Sequence, residues 1–428
     1  VITACSSTPA GDGPTGESTA ALRYHRDIRP LIETKCAGCH TEGGIAPFAL
    51  TSYGSAVEHK ASMRAAVESG RMPPWPPSAT CAEYTESRAL TAEEKQKVLA
   101  WIDDGMPEGS AAEYSAPAGG PPGLSRVDRT VQMPGAYTPQ KLPDDYRCFV
   151  VDWPETTTKF VSGFRARPGH AALVHHVIAY LATPDQVARF EKLDADEPGL
   201  GYTCFGGPGG GQAPWIAGWA PGNPGSDFPS GTGIRVEPGS KIVLQVHYNA
   251  GHSADHGGGG HGATALAPDL TAMDFKLDDK VEREALIQPW ADLRWVNERT
   301  MHIPAGAADV VHRFAFDPTL VMDRLSRGTI PSGTPFTIWS ANLHMHTYGR
   351  SARLAIARAD KSETCLLDIP KWDFHWQGSY GFSEPKTFRP GDQLVVECHF
   401  DNSGSTIDRN WGEGTADEMC LGGVYITR

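Results

Sequence analysis

The residues Cys36-Ala37-Gly38-Cys39-His40 place two thiols and one imidazole within five consecutive positions. This C-x-x-C-H spacing is typical of covalent c-type haem attachment, in which both thiols become thioethers and the histidine binds the iron. A zinc half-site or a disulfide pair is the alternative, but no second pair of zinc ligands follows nearby. We therefore predict one covalently attached haem c, held by Cys36, Cys39 and His40.

A methionine lies in the loop Gly70-Arg71-Met72-Pro73-Pro74-Trp75, which follows the haem motif along the chain. A methionine thioether can serve as the sixth ligand of haem iron, and a His/Met pair raises the reduction potential. We predict that Met72 is this ligand. Met63, His25 and His59 are its rivals, each of which is typical of an ordinary helix residue.

Three further groups of histidines lie on strand-like segments: His175-His176, His247 and the pair His344 and His346. Residues two apart share one face of a strand, so His344 and His346 can bind one ion together. Adjacent residues point to opposite faces, so His175 and His176 can share a metal only at a bulge or a strand end. Neutral imidazoles are common ligands of transition metals.

The elements that must position the haem motif are helical. Tyr24 to Lys35 forms a short helical pattern before the motif, and Ser52 to Ser69 forms another after it. A third helix is expected to begin at Thr91, with acidic residues in its first turn, and to end at Gly105. This order resembles small bacterial cytochrome c domains and implies a small all-α domain over residues 21–112.

The histidine groups lie in a region of different character. Residues 113–125 form a linker rich in Ala, Gly, Pro and Ser, and alternating strand patterns with Gly/Pro turns follow it. With 47 glycines and 34 prolines in 428 residues, the chain is expected to be rich in turns and mostly β beyond the helical part. We therefore predict a multidomain chain with antiparallel sheets after the linker.

Four motifs occur in order after the linker: His175-His176, Gln245-Val246-His247-Tyr248, His344-Met345-His346 and Asp417-Glu418-Met419-Cys420. Together they resemble the copper type II monooxygenases that hydroxylate peptidylglycine and dopamine. The resemblance covers residues 126–428. It implies two mostly antiparallel, jelly-roll-like β-sandwich domains, here residues 126–273 and 274–428. It also implies two copper sites, one on each domain, that face each other across an open cleft.

The resemblance assigns roles residue by residue. His175, His176 and His247 match the ligands of the copper site that supplies electrons, and His344, His346 and Met419 match those of the site that activates oxygen. Imidazole suits copper, and a thioether favours Cu(I). Gln245 matches a glutamine in the family's electron path, and Tyr146 matches a tyrosine near the first copper site. Met345 points to the opposite strand face from its neighbours and is expected in the core.

Nine cysteines are present, and six remain once Cys5 and the haem pair are set aside. An even remainder in an exported protein indicates three disulfides, although the count alone leaves their connectivity open. Cys148–Cys204 and Cys398–Cys420 match disulfides of the copper monooxygenases. Cys81 and Cys365 remain by subtraction, and our hypothesis is that they pair and join the cytochrome domain to the second copper domain.

The function expected from these motifs is hydroxylation of a substrate C–H bond by O₂, with two copper ions and one haem c as cofactors. The haem would relay electrons from an external donor, either ascorbate or a redox protein, and the substrate is a small molecule or a peptide. Asn342 stands where the amidating enzymes have a substrate-binding arginine, and Leu421-Gly422-Gly423 departs from their pattern, so peptidylglycine is disfavoured. The alternatives are a haem/copper electron-transfer or copper-binding protein, or an oxidase that produces peroxide.

Charge and the N-terminal residues bear on partners and location. The formal net charge of −13 and the lack of a basic run exclude nucleic acid as a partner. Ile2-Thr3-Ala4-Cys5 resembles a lipoprotein cleavage box, so Cys5 would carry lipid and residues 1–20 would form a flexible tether at a membrane. The alternative is a free or disulfide-bonded Cys5 in a disordered tail. We predict an exported, periplasmic or cell-surface protein.

Overall fold

The structure is a computed structural model, and it describes residues 21–42, 46–117, 123–210, 213–249 and 266–428. The predicted tether at residues 1–20, with Cys5, lies outside the described residues, as does the middle of the predicted linker. The expectations for those segments therefore stay predictions.

Helices are concentrated before residue 115. The described α-helices are α1 (Arg29–Lys35), α2 (Tyr53–Glu58), α3 (Lys60–Glu68), α4 (Ala92–Asp103), α5 (Val187–Asp196), α6 (Leu293–Asn297) and α7 (Met322–Leu325). A π-helical turn over Tyr24–Ile28 leads into α1, and short 3₁₀ turns occur at Ala111–Glu113 and Pro318–Val321. The predicted helix that begins at Thr91 is confirmed as α4. The Thr91 hydroxyl accepts the Glu94 N–H and the Glu94 carboxylate accepts the Thr91 N–H, which together form a capping box.

The rest of the described chain is mostly β, as the Gly/Pro-rich alternating patterns predicted. The strands are β1 (Arg129–Gln132), β2 (Asp144–Asp152), β3 (Lys159–Arg167), β4 (Val174–Ala182), β5 (Tyr202–Thr203), β6 (Trp215–Trp219), β7 (Ser226–Asp227), β8 (Thr232–Val236), β9 (Lys241–Asn249), β10 (Ala272–Asp278), β11 (Arg283–Trp290), β12 (His302–Ile303), β13 (Val310–Phe316), β14 (Phe336–His344), β15 (Gly349–Ala357), β16 (Glu363–Ile369), β17 (Ser379–Phe388), β18 (Gln393–Phe400), β19 (Arg409–Asn410) and β20 (Leu421–Thr427).

The first β region packs two groups of strands around one core. Strands β1, β10, β3 and β8 are hydrogen-bonded in that order, and β6, β4, β9, β2 and β5 form the other group. Inward side chains of both groups, including Val177, Leu244 and Phe275, are fully buried together. The predicted division after residue 273 falls inside β10, which pairs with β1 and β3 of this first region.

The second β region has its own core. Strands β13, β18, β15 and β16 form one antiparallel sheet, and β20, β14 and β17 form the facing group. Strand β11 belongs to both regions, because it pairs antiparallel with β20 and also contacts β6 and β8 of the first region. The two regions are therefore joined through continuous hydrogen bonding as well as through the chain.

The helical N-terminal part has a small core of its own around the buried Ile28 and Trp101. Its residues 75–85 nevertheless pack on the second β region. Thr85 N–H donates to the Gly381 carbonyl at 2.8 Å, and the indole of Trp75 meets the ring of Tyr380 edge-on at 5.2 Å. This docking explains how a cysteine before residue 100 can reach a strand near residue 365.

Three disulfides are present among the described cysteines. They are Cys81–Cys365, Cys148–Cys204 and Cys398–Cys420, which are the three pairs predicted. Three such bonds are typical of an oxidising, exported setting. None of the described helices is both long enough and apolar enough to cross a membrane.

Candidate metal centres

Three imidazoles converge in the first β region. A register shift in the pairing of β4 with β9 between Val174 and His176 supplies the bulge that lets adjacent histidines share one ion. The Nδ1 atoms of His175, His176 and His247 lie 3.2–3.4 Å from one another. The centre of such a triangle is roughly 2 Å from each corner, which is close to an imidazole–metal bond length. These three nitrogens therefore fit one transition-metal ion.

Neighbouring groups orient this imidazole set. His247 Nε2 donates to the Asp144 carboxylate at 2.9 Å, which leaves Nδ1 with its lone pair toward the other two imidazoles. The ring of Tyr146 stacks on the ring of His247 with centroids 3.9 Å apart, and its hydroxyl donates to the Glu413 carbonyl. Burial lowers the pKa of both His176 and His247. The neutral form required of a metal ligand is therefore the favoured form.

Replacing Asp144 with asparagine should weaken metal binding at His247, because a neutral amide oxygen accepts the Nε2–H more weakly than a carboxylate does. We expect the copper affinity of the first site to fall by about 10–100-fold. Equilibrium competition with a Cu(I) chelator measures this change. Asp152→Asn, at the exposed far end of the same strand, is the matched control. Equal affinities for both variants would contradict an orienting role for Asp144.

A second pair of imidazoles lies at the end of β14. His344 Nδ1 is 2.5 Å from the Gln377 side-chain oxygen, and His346 Nδ1 is 3.1 Å from the Asp417 carbonyl. Each Nδ1–H is thereby used in a hydrogen bond, so Nε2 of each ring is the nitrogen left to bind a metal. The ring centroids are 5.0 Å apart, so the two imidazoles lie close together, as their two-residue spacing predicted, although His346 lies just beyond the last residue of β14.

Met419 precedes the strand that pairs with β14. In this pairing His344 lies opposite Leu421, two residues beyond Met419, and both His344 and Met419 line the same cavity. The buried Glu418 carboxylate connects the two segments, because it accepts the backbone N–H groups of His346 at 2.9 Å and Met419 at 3.2 Å. Burial raises the pKa of Glu418 to about 8, although these N–H groups oppose that rise. A His₂Met donor set suits a copper ion.

The pKa values of the second pair predict how the metal-free protein responds to acid. Burial lowers the pKa of His344 to about 4 and that of His346 to about 3, whereas an unfolded histidine titrates near about 6.5. The unfolded state therefore binds protons first as the pH falls. We expect the free energy of unfolding to decrease as the pH drops from about 6.5 towards 4. Urea unfolding at several pH values measures this slope, and a double His344→Asn/His346→Asn variant should show a shallower one.

The two imidazole sets adjoin at one end of the cavity rather than facing each other across an open cleft, as the resemblance had implied. The rings of His176 and His344 have centroids 6.3 Å apart. Phe374 stacks on His175 at 4.6 Å and meets His346 edge-on at 5.9 Å. The two imidazole sets lie close together because hydrogen bonds join the two β regions. Asp144 accepts both the N–H and the hydroxyl of Thr415, in the loop that leads to Met419.

A cavity of about 2190 Å³ opens beside both sets. Its walls include His175, His176, His344, Met419 and Gln245, and residues from the N-terminal part, the first β region and the second β region all contribute. The Gln245 amide is fixed by donation to the Cys204 carbonyl at 2.9 Å. The cavity is large enough for a drug-sized or peptide ligand, which needs roughly 300–1,000 Å³.

Two departures from the amidating enzymes, Asn342 and Gly423, lie opposite each other in the pairing of β14 with β20. A Cβ at position 423 would stand 2.2 Å from the Asn342 side-chain oxygen. The Asn342 carboxamide therefore occupies the space that a side chain at position 423 would need. The two departures are therefore structurally coupled, and Asn342 lines the cavity together with His344.

The haem motif follows α1. His40 Nδ1 is 2.9 Å from the Phe48 carbonyl, which leaves Nε2 as the nitrogen able to bind iron. Cys36 and Cys39 are the two described cysteines that lie outside disulfides. Met72 is half-buried after α3, with its N–H donated to the Ala66 carbonyl. Its rival Met63 lies in the small helical core.

Several residues around the two metal centres were not predicted from the sequence. Asp144, Gln377 and Phe374 contact imidazoles, and Glu418 holds backbone segments together. The position of Asp144 could have been predicted, because it lies two residues before Tyr146 on the same strand and therefore on the same strand face. Gln377 and Phe374 lie on a loop more than 25 residues from either histidine pair, and no strand periodicity applies there.

Comparison with known proteins agrees with this arrangement. The N-terminal domain model of the copper type II ascorbate-dependent monooxygenases matches residues 130–254, and the C-terminal domain model matches residues 301–427. Together the two models match more than half of the chain, which therefore belongs to this family of oxygen-using oxidoreductases.

Individual relatives are more distant. DBH-like monooxygenase protein 1 is 26% identical over 264 residues in Gallus gallus and 27% identical over 266 residues in Homo sapiens, with 59% of this chain covered. The chain spans 39% of the length of each of these two relatives. Tyramine beta-hydroxylase of Caenorhabditis briggsae is 22% identical over 318 residues, which cover 71% of this chain and 50% of that protein.

Proposed function

We propose that this protein is a copper-dependent monooxygenase that hydroxylates a substrate C–H bond with O₂. The observation that carries the proposal is the pair of imidazole sets that border one cavity. The balanced reaction consumes one substrate, one O₂, two electrons and two protons, and it yields one hydroxylated product and one water. Because copper exchanges single electrons and binds O₂ in its reduced form, it would supply chemistry that these side chains lack.

The two sets are suited to different roles. The set His175, His176 and His247 offers three neutral nitrogens and has the Tyr146 ring stacked on it, which suits a site that stores and passes electrons. In the second set, Met419 joins His344 and His346, and a thioether favours the reduced ion that oxygen requires. Gln245, which lies two residues before His247 on β9 and is fixed in the cavity wall, is proposed to belong to the electron path.

The cavity indicates the class of substrate. Indole side chains of Trp75, Trp215, Trp290 and Trp339 contribute to its walls, so an apolar or aromatic small molecule or peptide side chain fits it best. Asn342 is uncharged and is held against Gly423, so it cannot pair with a carboxylate as an arginine would. A peptidylglycine substrate is therefore disfavoured.

We further propose that electrons reach the copper sites through a haem that Cys36, Cys39 and His40 would hold, with Met72 as a further iron ligand. Two unpaired thiols three residues apart, followed by an imidazole whose Nδ1 is already hydrogen-bonded, provide the donor set that covalent haem requires. The helices before residue 112 would then be a cytochrome c domain. An external one-electron donor, ascorbate or a redox protein, would reduce the haem.

The location proposed is outside the cytoplasm, in a periplasm or at a cell surface. Three disulfides are typical of an exported, oxidising setting, and the proposed covalent haem is consistent with it. Lipid on Cys5 would anchor the chain to a membrane. Mass spectrometry of the peptide that contains Cys5, from protein isolated from membranes, tests this point.

Metal analysis of protein matured with haem tests the cofactors, and two coppers and one iron per chain is the expected result.

Activity is tested by O₂ uptake with a panel of aromatic compounds, with hydroxylated product and peroxide measured together. Met419→Leu, which keeps the volume but removes the thioether, should abolish product. Met345→Leu is the matched control, because Met345 is fully buried in the core of the second β region, as predicted. Peroxide in place of product would indicate an oxidase, and copper binding without O₂ uptake would indicate an electron-transfer protein.

A further inference from the structure

The haem motif touches the first β region at one defined turn. Cys39 Sγ lies 3.9 Å from the Gly222 carbonyl oxygen, and Arg88 Nη1 donates to the same oxygen at 2.8 Å. Gly222 has φ +88°, a conformation that favours glycine, and the turn is closed by donation from Asn223 N–H to the Ala220 carbonyl. The helical part therefore meets this region through a rigid backbone carbonyl.

The same turn leads directly to the first imidazole set. It follows β6, whose last residue Trp219 lies opposite Val177 in the pairing with β4, and Val177 follows His176. The Trp219 indole donates to the Asn223 carbonyl at 2.7 Å, so the ring is fixed to the turn. Trp219 is almost fully buried and lines the cavity together with His176. A short chain of bonded and packed groups thus connects Cys39 to His176.

We propose that the turn Ala220–Asn223 and Trp219 form the point at which electrons pass from the haem-bearing segment to the first copper site, with Arg88 holding the two segments in contact. This inference rests on the proposed function. In each step one electron leaves ferrous haem, which becomes ferric, and Cu(II) at the His175/His176/His247 site becomes Cu(I). A flavin semiquinone or ascorbate, as one-electron donor, restores the ferrous haem.

Arg88 is the residue whose role is most specific to this contact. It extends from the N-terminal part to the Gly222 carbonyl of the first β region, the same oxygen that Cys39 contacts. A hydrogen bond from a charged donor to a buried carbonyl is stronger than a neutral one. Its loss should loosen the local contact while Cys81–Cys365 still joins the N-terminal part to the second β region.

The test is a flash experiment on the full chain, matured with haem and loaded with copper, under anaerobic conditions. A flash-generated flavin semiquinone reduces the haem, and haem reoxidation is followed optically while loss of the Cu(II) signal is followed by electron paramagnetic resonance. We expect Arg88→Met and Trp219→Leu each to slow the haem-to-copper step by about tenfold. The haem spectrum, the haem potential and the copper content should stay at parent values, which a merely destabilised protein would not show.

Two matched controls accompany these variants. Lys95→Met removes a cation of the N-terminal part that donates to Glu68 and does not contact the turn, and Trp153→Phe alters a buried indole of the same β region. Both should transfer electrons within about twofold of the parent rate. If Trp219→Leu does not fold, Trp219→Phe keeps an aromatic ring but removes the indole N–H that donates to Asn223, and it tests the same path.

The outcomes separate this inference from the function on which it rests. If the parent transfers electrons and both Arg88→Met and Trp219→Leu transfer them at the parent rate, this path is wrong and the haem supply stands. If the parent itself shows no haem-to-copper transfer, the proposed haem supply fails and the path fails with it.

Discussion

Replacing His247 with alanine should reduce the bound copper from two ions to one per chain. It should also lower product formation by at least about a hundredfold, because even residues that only support a metal ligand contribute 10–100-fold. Three Nδ1 atoms within 3.4 Å of one another form the first site, and the loss of one leaves two nitrogens and an open side. The second imidazole pair is on another strand and should keep its ion.

The measurement combines copper content by mass spectrometry with product formation under saturating reductant. His399→Ala is the matched control. His399 is also a strand histidine, on β18, but its ring contacts the carboxylates of Asp309 and Glu397 and does not line the cavity. Single-turnover reoxidation of the reduced protein should still proceed in His247→Ala at the second site. Two coppers per His247→Ala chain would show that the first site does not exist as we describe it.

The parts of the fold that sequence patterns predicted are those governed by short-range rules. The two-residue spacing of His344 and His346 predicted that their side chains lie close together. The structure has His344 as the last residue of β14 and His346 just beyond it, with ring centroids 5.0 Å apart. The adjacency of His175 and His176 required a bulge, and the structure has one at that position. The order of helices before residue 105 followed from apolar periodicity and from the capping residues of α4.

The parts that the sequence did not reveal depend on contacts between distant segments. Thr415 donates to Asp144 across 271 residues, and this contact brings the two imidazole sets together. Strand β11 pairs with strands of both β regions. The alternation of apolar and polar residues within a strand does not predict which strands it will pair with. The contact of Cys39 with Gly222 spans 183 residues of sequence. Each of these depends on packing of whole domains, for which local propensity carries no information.

The buried carboxylate of Glu418 shows how the second metal centre depends on backbone geometry. Its Oε2 accepts the N–H groups of His346 and Met419, and its Oε1 accepts the N–H of Tyr348 at 2.5 Å. The Cys398–Cys420 disulfide fixes the next residue to β18. One side chain thus holds the backbone of His346 and the backbone of Met419 in a common position, and both are ligands in the proposed second copper site.

Glu418→Leu should therefore destabilise the protein by at least about 3 kcal/mol, because three buried N–H groups lose their acceptor at about 1–3 kcal/mol each. We also expect the copper affinity of the second site to fall at least about tenfold while that of the first site is kept. Urea unfolding and chelator competition on the same samples measure the two effects. Glu384→Leu, at an exposed position on β17, is the control. If Glu418→Leu matched the control in both measurements, the carboxylate would not organise this centre, and the ligand geometry would have to come from β14 and β20 alone.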